Sequence, residues 1–513
     1  MAMQLRSRRR QVSPVPAPRG GVPRAQHGPD GGDAEGEDRL SNLPRELRRE
    51  VLVRLGCARE AARTSVLSTR WRRLWAELRD LTFFNTVHPD SIAAALTAMV
   101  HPNLLRDLTF DGVDPDSVGA ALAMVRPELR RLCIRDDRTS RRHSAARISS
   151  LLRAAERLAP AELVVALNKD CWDDAPFEMP CFERATLIDL FIQGLTFTPP
   201  PAGNFDRLEQ LSLRHGLLNP GDLLHRCPRL RKLEMVGFCP LEMTTLTIES
   251  ASLEELMLQC RLGPVVDIVA PELKKLTLNC WSGEFTVSLS APKLEEFQLD
   301  YTCEHYSWVG SGVKWRLVHL KMATAWSDRH GQQGQLPRVR ELVLSLSIHA
   351  HRKNLPDAKR SFQQEVAGFP LTDFSVLDLL LLTRGHVYGA PVLELLRIQT
   401  TVRRLKVEAV IMYEECSENC DCDHASSWRN EQISLPDLEV LNFEGFHGAG
   451  HEVDLLKLLF RSAPMLKTVT IKLLHELSSN NRVCQELCSI LEANASVKCD
   501  VYDSYGDKIS FQD

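Results

Sequence analysis

The densest group of side chains able to bind a metal ion lies between Glu414 and Asn430. Its members are Cys416, Cys420, Cys422 and His424. Zinc ligands usually stand about two to four residues apart, and Cys416 and Cys420 with His424 fit that spacing. Cys420 and Cys422 are separated by a single residue, which makes it awkward for both to join one tetrahedral ion. We therefore expect an acidic, partly exposed loop without a metal, and these side chains remain the candidate ligands.

Catalytic motifs are missing from the sequence. It contains no phosphate-binding glycine loop and no GxSxG nucleophile turn. The dipeptides His451-Glu452 and His475-Glu476 lack the second histidine of an HExxH zinc-protease helix. We therefore expect a protein that catalyses no reaction and needs no cofactor.

An arginine-rich helix is predicted near the N-terminus, followed by two more. Apolar residues recur at helical spacing in the first, at Leu43, Leu47, Val51, Leu52 and Leu55. Pro44 suits its first turn and Gly56 its end. Residues 38–75 carry ten arginines against four acidic residues, a net of +6 in a chain whose formal net charge is −4. This basic front favours an acidic partner, and the acidic remainder argues against nucleic acid.

The second and third helices would complete a small module. The second is predicted from about Arg59 to Val66. The third, capped by Ser68, places its apolar residues on one face, at Trp71, Leu74, Trp75 and Leu78. Three helices within roughly 40 residues form too small a core to be stable alone, so we expect a neighbour or partner to cover the apolar face.

A leucine pattern dominates the rest of the chain. Leucine, two residues, leucine, one residue and an aliphatic or aromatic residue recur at Leu78-Leu81-Phe83, Leu105-Leu108-Phe110, Leu129-Leu132-Ile134, Leu187-Leu190-Ile192, Leu208-Leu211-Leu213, Leu230-Leu233-Met235, Leu253-Leu256-Leu258, Leu273-Leu276-Leu278, Leu294-Phe297-Leu299, Leu317-Leu320-Met322 and Val339-Leu342-Leu344. From Leu187 to Val339 the steps are 21, 22, 23, 20, 21, 23 and 22 residues, which is the period of leucine-rich repeats. Each triplet places its apolar side chains on one face of a short strand, and parallel neighbours share the core. Residues 350–400 interrupt the rhythm, and Val402-Leu405-Val407 resumes it.

Length and composition limit the classes of protein. A chain of 513 residues predicts several domains or one open repeat array. Its 15 cysteines are odd in number and irregularly spaced, which favours reduced thiols in the cytoplasm or nucleus. No apolar run is long enough for a transmembrane helix, and the first 30 residues lack a signal core. Residues 1–37 predict a disordered tail, whose arginines from Arg6 to Arg10 are either a nuclear import signal or a solvated basic stretch.

Two segments carry a family resemblance. Asp38 to Pro44, continuing through Thr64 to Ser68 and Arg70 to Trp75, resembles an F-box of the plant type that precedes irregular leucine-rich repeats. Leu438 to Ile471, with Gly445-Phe446 and Ser462-Ala463-Pro464, is similar to the FBD segment that closes such proteins. Departures from the F-box pattern stand at Arg45, Gly56 and Thr69, and none removes an apolar contact.

The resemblance implies a substrate-recognition subunit of an SCF-type (Skp–cullin–F-box) E3 ubiquitin ligase. F-box proteins dock an acidic Skp-type adaptor, and through it a cullin, while their repeats hold a target protein. Carried over by position, the adaptor-docking residues would be Leu43, Pro44, Leu47, Val51, Leu52 and Leu55. The residues holding the third helix and joining it to the first repeat would be Trp71, Leu74 and Trp75.

The expected fold is α/β: a small three-helix F-box followed by an irregular, horseshoe-like solenoid of parallel strands. The expected divisions are a tail (1–37), the F-box (38–78), the repeats (79–434) with the cysteine-containing loop near 414–430, an FBD-like segment (435–473) and a C-terminal cap (474–513). Two alternatives stay open, a repeat scaffold with a decayed F-box and a small-molecule receptor. Neither nucleic acid nor a membrane is an expected partner.

Overall fold

The computed structural model describes most of the chain from residue 40 to residue 509. The described residues are 40, 42–85, 87–99, 105–136, 143–168, 177–198, 203–217, 221–238, 245–260, 265–282, 286–303, 307–309, 314–327, 339–351, 360–361, 374–412, 416, 420, 422, 426–474 and 482–509. The predicted tail of residues 1–37, with its arginine cluster, and the candidate ligand His424 lie outside them.

The N-terminal module contains two α-helices, α1 (Arg45–Arg54) and α2 (Ala58–Arg63), and two 3-10 helices (Thr64–Val66 and Leu74–Glu77). Helix α1 follows Pro44 and ends before Gly56, whose φ of 62° suits a glycine. The second 3-10 helix and the turn before it occupy the place of the predicted third α-helix. Arg73 has a left-handed φ of 61°, which interrupts any regular helix from Ser68 onward.

The remaining elements alternate between strands and connections. The strands are β1 (Asp80–Phe84), β2 (Asp107–Asp111), β3 (Arg131–Asp136), β4 (Glu162–Asn168), β5 (Phe177–Glu178), β6 (Leu187–Thr198), β7 (Gln210–Leu217), β8 (Lys232–Phe238), β9 (Thr245–Glu249), β10 (Glu255–Cys260), β11 (Val265–Val269), β12 (Lys275–Ser282), β13 (Thr286–Ser290), β14 (Glu296–Cys303), β15 (Ser307–Val309), β16 (Lys314–Ser327), β17 (Val339–His351), β18 (Arg360–Ser361), β19 (Val376–Leu382), β20 (Arg404–Val410), β21 (Val440–Phe446), β22 (Thr468–Leu473), β23 (Lys498–Tyr502) and β24 (Lys508–Ile509). The helices after α2 are α3 (Pro89–Thr97), α4 (Pro115–Leu122), α5 (Ala145–Glu156), α6 (Gly221–Leu224), α7 (Gly389–Ile398), α8 (Gly450–Ser462) and α9 (Arg482–Ala493), with a 3-10 helix at Ser426–Asn430.

One long sheet runs through the molecule. Its strands lie in the order β1-β2-β3-β4-β6-β7-β8-β10-β12-β14-β16-β17-β19-β20-β21-β22-β23-β24. The register aligns the repeat leucines, so that Leu233 pairs with Leu256 and Leu256 with Leu276. These side chains are almost fully buried, since each apolar face is covered by its neighbours and by the connection behind it. The predicted leucine-rich solenoid is therefore present.

The structure corrects the repeat pattern at three places. Strand β16 runs antiparallel to both β14 and β17, so the array is not wholly parallel. Only about ten residues separate β14 from β16, too few for an ordinary parallel crossover. Strands β4 and β19 belong to the ladder although the triplet pattern did not reveal them.

The two missed strands share one cause. In both, the first leucine of the triplet is replaced by another buried residue, Pro160 before β4 and Phe374 before β19. The later apolar positions of each strand, such as Leu163 and Leu377, keep the register of the ladder. The interruption predicted for 350–400 therefore ends at β19.

The side of the solenoid opposite the main sheet changes along the chain. Behind the first strands lie α3, α4 and α5, of which α4 packs against both others. In the central repeats a second parallel sheet, β9-β11-β13, replaces helices in three successive connections. Its alternating residues, among them Ile248 and Ile268, point into the core. In the C-terminal repeats helices return, with α7 against α8 and α8 against α9. None of the helices the structure describes is both long and apolar enough to cross a membrane.

Candidate docking site and cysteine–histidine cluster

Helix α1 leaves an apolar stripe uncovered. Leu47, Val51 and Leu55 follow one another at steps of four residues and therefore share one face of the helix. Their exposed fractions are 47%, 37% and 43%, far above those of the repeat leucines. Pro44 is also exposed and Leu43 is half-buried. A partner protein that covered this stripe would remove apolar surface from water.

The opposite side of α1 holds the module together. Leu52 is 1% exposed and belongs to the core, so its side chain is not available to a partner in this arrangement. Trp71 and Leu74 are buried in the same continuous core as Leu81 of β1, and Trp75 packs against it half-buried. The module therefore packs against the first repeat, as the contact between α2 and β1 also shows.

Further exposed apolar residues of the module were not among the predicted docking residues. Val53 is on α1, Val66 ends the first 3-10 helix and Leu67 follows it, and all three are exposed. Their sequence signal was present, since Val66 and Leu67 are adjacent apolar residues at the end of the second predicted helix. Whether such residues face water or the core depends on packing, which periodicity alone does not reveal.

The module's arginines fasten its turns as well as making it basic. Arg45 donates to both carboxylate oxygens of Glu77, at 2.6 and 2.8 Å, and so ties α1 to the second 3-10 helix. The hydrogen bond with Glu77 raises the pKa of the Arg45 guanidinium. Arg48 donates to the carbonyl oxygens of Leu43 and Arg70. The departure from the F-box pattern at Arg45 thus has a local partner.

Three of the four candidate metal ligands converge, and the fourth, His424, lies outside the described residues. Cys416, Cys420 and Cys422 lie together, and His386 supplies the histidine. The ligand atoms of these four side chains all lie within 4.8 Å of one another. Cys416 Sγ is 3.5 Å from Cys422 Sγ, and Cys420 Sγ is 3.5 Å from His386 Nδ1. We call these four residues the cysteine–histidine cluster.

Burial and the close approach of the thiols raise the pKa values of two cysteines in the cluster. Burial first, and then the hydrogen bond with Cys422, raise the pKa of Cys416 to about 12. Burial also raises the pKa of Cys422. The backbone N–H of Val387 donates a hydrogen bond to this cysteine and partly offsets that rise. Sequence reasoning missed His386 because it lies 34 residues from Cys420, in the turn after the unrecognised strand β19.

A cavity of about 410 Å³ adjoins the cluster, and His386 and Cys416 form part of its wall. Glu452 of α8 is buried there and accepts hydrogen bonds from the Tyr388 hydroxyl and from the backbone N–H groups of His447, Gly448 and Ala449, at 2.8–3.0 Å. Burial outweighs these bonds and raises the pKa of Glu452. The carboxyl group thus fastens the β21–α8 turn to the turn that carries His386.

The stacked leucines and parallel ladder define a leucine-rich-repeat protein. A family model described as "FBD-associated F-box protein At5g56370, LRR repeats" matches residues 148–308, and the FBD family model matches residues 435–471. The F-box/FBD/LRR-repeat protein At1g13570 of Arabidopsis thaliana is 24% identical over 444 residues, which cover 85% of this chain and 91% of that protein. The putative FBD-associated F-box protein At3g60710 of the same plant is 51% identical over 45 residues, 9% of this chain and 14% of that protein.

These matches confirm the resemblance to plant-type F-box/leucine-rich-repeat/FBD proteins. The FBD match falls on the segment in which the sequence predicted it. Both matched models lie outside residues 38–78, so the helical module is described by its own geometry: two α-helices, two 3-10 helices and an uncovered apolar stripe.

Proposed function

We propose that this chain is the substrate-recognition subunit of an SCF-type E3 ubiquitin ligase. The observation that carries the proposal is the stripe of Leu47, Val51 and Leu55, exposed on a small basic module at one end of a repeat array. An acidic Skp-type adaptor would cover the stripe, and a cullin would join through the adaptor. The similarity to an F-box/FBD/LRR-repeat protein over most of both chains supports this order of parts.

Charge would assist the encounter. The ten arginines in residues 38–75 outnumber the acidic residues there by six, and Arg45 and Arg54 stay largely exposed even within their ion pairs. A basic surface around an apolar stripe attracts an acidic partner from a distance and then lets apolar burial hold it. Leu52 contributes indirectly in this proposal, by keeping α1 in place.

The repeat array would hold the target protein. Between the buried leucines, the ladder aligns rows of partly exposed residues on the main sheet, such as Asp189, Ser212 and Glu234 in neighbouring strands. A rigid row of this kind presents a target at a fixed orientation. The rate gain would come from placing a target lysine near the ubiquitin-loaded enzyme, so the chain itself would act without catalysis, in the cytoplasm or nucleus.

The test is binding of the full-length chain to a purified Skp-type adaptor, measured by calorimetry. The double variant Leu47→Asp/Val51→Asp is expected to weaken binding by about thirty-fold or more, since truncating central anchors of an interface costs about 2 kcal/mol or more. Met465→Asp is the matched control, because Met465 is 54% exposed and lies in the FBD segment. It should bind as the unchanged chain does.

Leu52 is left unchanged in this experiment, because a charge at that buried position would unfold the module and lower binding for another reason. Failure of the unchanged chain to bind adaptors would favour a repeat scaffold without a ligase role. Equal loss in the Met465→Asp control would show that the stripe is not the docking site.

A further inference from the structure

The cysteine–histidine cluster has the composition and compactness of a closed metal site. Three thiols and one imidazole meet from two separate connections, the turn after β19 and the segment between β20 and β21. Among the residues that the structure describes, no other group of three or more potential ligands lies this close together. We propose that His386, Cys416, Cys420 and Cys422 bind one structural zinc ion.

The distances fit a single tetrahedral ion. With Zn–S near 2.3 Å and Zn–N near 2.0 Å, tetrahedral angles require about 3.8 Å between sulfurs and about 3.5 Å between sulfur and nitrogen. The structure has 3.5 Å between Cys416 Sγ and Cys422 Sγ, and 3.5 Å between Cys420 Sγ and His386 Nδ1. No two of the four ligand atoms are more than 4.8 Å apart, which leaves room for one ion at the centre of the set.

The choice of zinc follows from the donors. Three sulfur ligands and one imidazole form a soft set, which excludes magnesium and calcium. Four protein donors fill a tetrahedral shell and leave no position for a reactive water, so the site is structural. Binding replaces the protons of three thiols, which leave as the zinc–sulfur bonds form. The Val387 N–H beside Cys422 adds a donor to one of the resulting thiolates.

The backbone is shaped to bring the two connections together. Arg384 and Gly385 both have left-handed φ values, 50° and 81°, and turn the chain sharply just before His386. A Cβ on Gly385 would lie 3.3 Å from the Cβ of Cys416, so glycine allows the turn to approach that cysteine closely. The turn therefore presents its imidazole to thiols that lie beyond β20.

The site would anchor one end of the connection between β20 and β21. Its other end is already anchored, since Trp428 is buried against Gly389 of α7 and Arg429 donates to Asp454 of α8 at 2.6 Å. A Cβ on Gly389 would lie 2.5 Å from the Trp428 ring, which shows how tightly this end is seated. Zinc would thus fix the wall of the adjoining cavity that His386 and Cys416 supply.

The test is metal analysis of the full-length chain, purified under reducing conditions without a chelator. About one zinc ion per chain is expected by inductively coupled plasma mass spectrometry. His386→Ala or Cys420→Ser should lower this to less than roughly a tenth of a zinc ion per chain. The matched controls are Cys499→Ser, a half-buried cysteine outside the cluster, and His424→Ala, the histidine favoured by spacing. Both controls should retain zinc.

A second measurement uses the unchanged chain and therefore does not require any variant to fold. Cobalt added to the metal-free unchanged chain should give thiolate-to-cobalt charge-transfer bands and visible bands of tetrahedral cobalt, which zinc then removes. Chelation of the zinc-bearing chain should speed proteolysis between β20 and β21. A chain without zinc that also gives no cobalt spectrum overturns the proposal, as does an intact mass showing a Cys416–Cys422 disulfide, iron in place of zinc, or loss of zinc in His424→Ala but not in His386→Ala.

Discussion

Helix α1 and the repeat strands both carry leucines at regular spacing, yet they bury them to very different degrees. Leu47 of α1 is 47% exposed, whereas Leu256 of β10 is 1% exposed. Leu256 lies between Leu233 and Leu276, so the repeats provide one another's partners. Helix α1 has no second copy beside its outer stripe within the described chain. Regular spacing therefore shows which residues seek burial, while the surroundings determine whether the chain itself supplies it.

Replacing one leucine in each region by alanine should affect stability most. Leu256→Ala should lower the free energy of unfolding by about 3 kcal/mol, because it leaves a cavity inside the stack. Leu47→Ala should change it by less than about 0.5 kcal/mol, because the side chain is largely in water. Thermal unfolding of the full-length variants measures both. Equal shifts in Tm would mean that the chain covers the stripe of α1 itself.

Two glycines with left-handed φ show the same difference in packing between the repeats and the N-terminal module. A Cβ on Gly445 of β21 would lie 2.0 Å from the carbonyl oxygen of Ala409 in the neighbouring strand, whereas a Cβ on Gly56 would meet nothing within 4 Å. Gly445→Ala should therefore lower the free energy of unfolding by roughly 2–3 kcal/mol, and Gly56→Ala by about 1 kcal/mol, the cost of the left-handed conformation alone. Denaturant titration of the two variants would show the difference, and a larger effect at Gly56 would contradict it.

The smallest effect concerns the buried carboxyl group of the C-terminal repeats. The pKa of Glu452 is raised by burial, so the folded state binds this proton more tightly than the unfolded state. Its contribution to stability is complete below the usual glutamate pKa of about 4.5 and is lost as the pH rises through the higher folded value. Glu452→Gln should thus gain Tm relative to the unchanged chain as the pH rises from 4.5 to 7, by a few degrees at most. A difference that stays flat or reverses would contradict this sign.

Much of the main sheet could be predicted because most of its strands carry a recognisable pattern within a few residues of sequence. Leu208-Leu211-Leu213 and its successors alternate with a period of two, and the steps between them are nearly constant. β4 and β19 were missed because the first buried position is filled by Pro160 and Phe374 and not by leucine or valine. The reversal of β16 was missed because an alternating pattern is the same in both chain directions.

Short-range periodicity and local motifs were enough to identify the apolar residues of the repeats, the helical stripe of α1 and the FBD segment. Three-dimensional packing was needed to show that Leu52 faces inward while Leu47 and Val51 face water, because that depends on what packs beside the helix. It was also needed to show that His386 joins the three cysteines. Their approach is set by a left-handed turn and by the parallel register of β19 with β20, and residues 34 positions apart have no local interaction that would fix it.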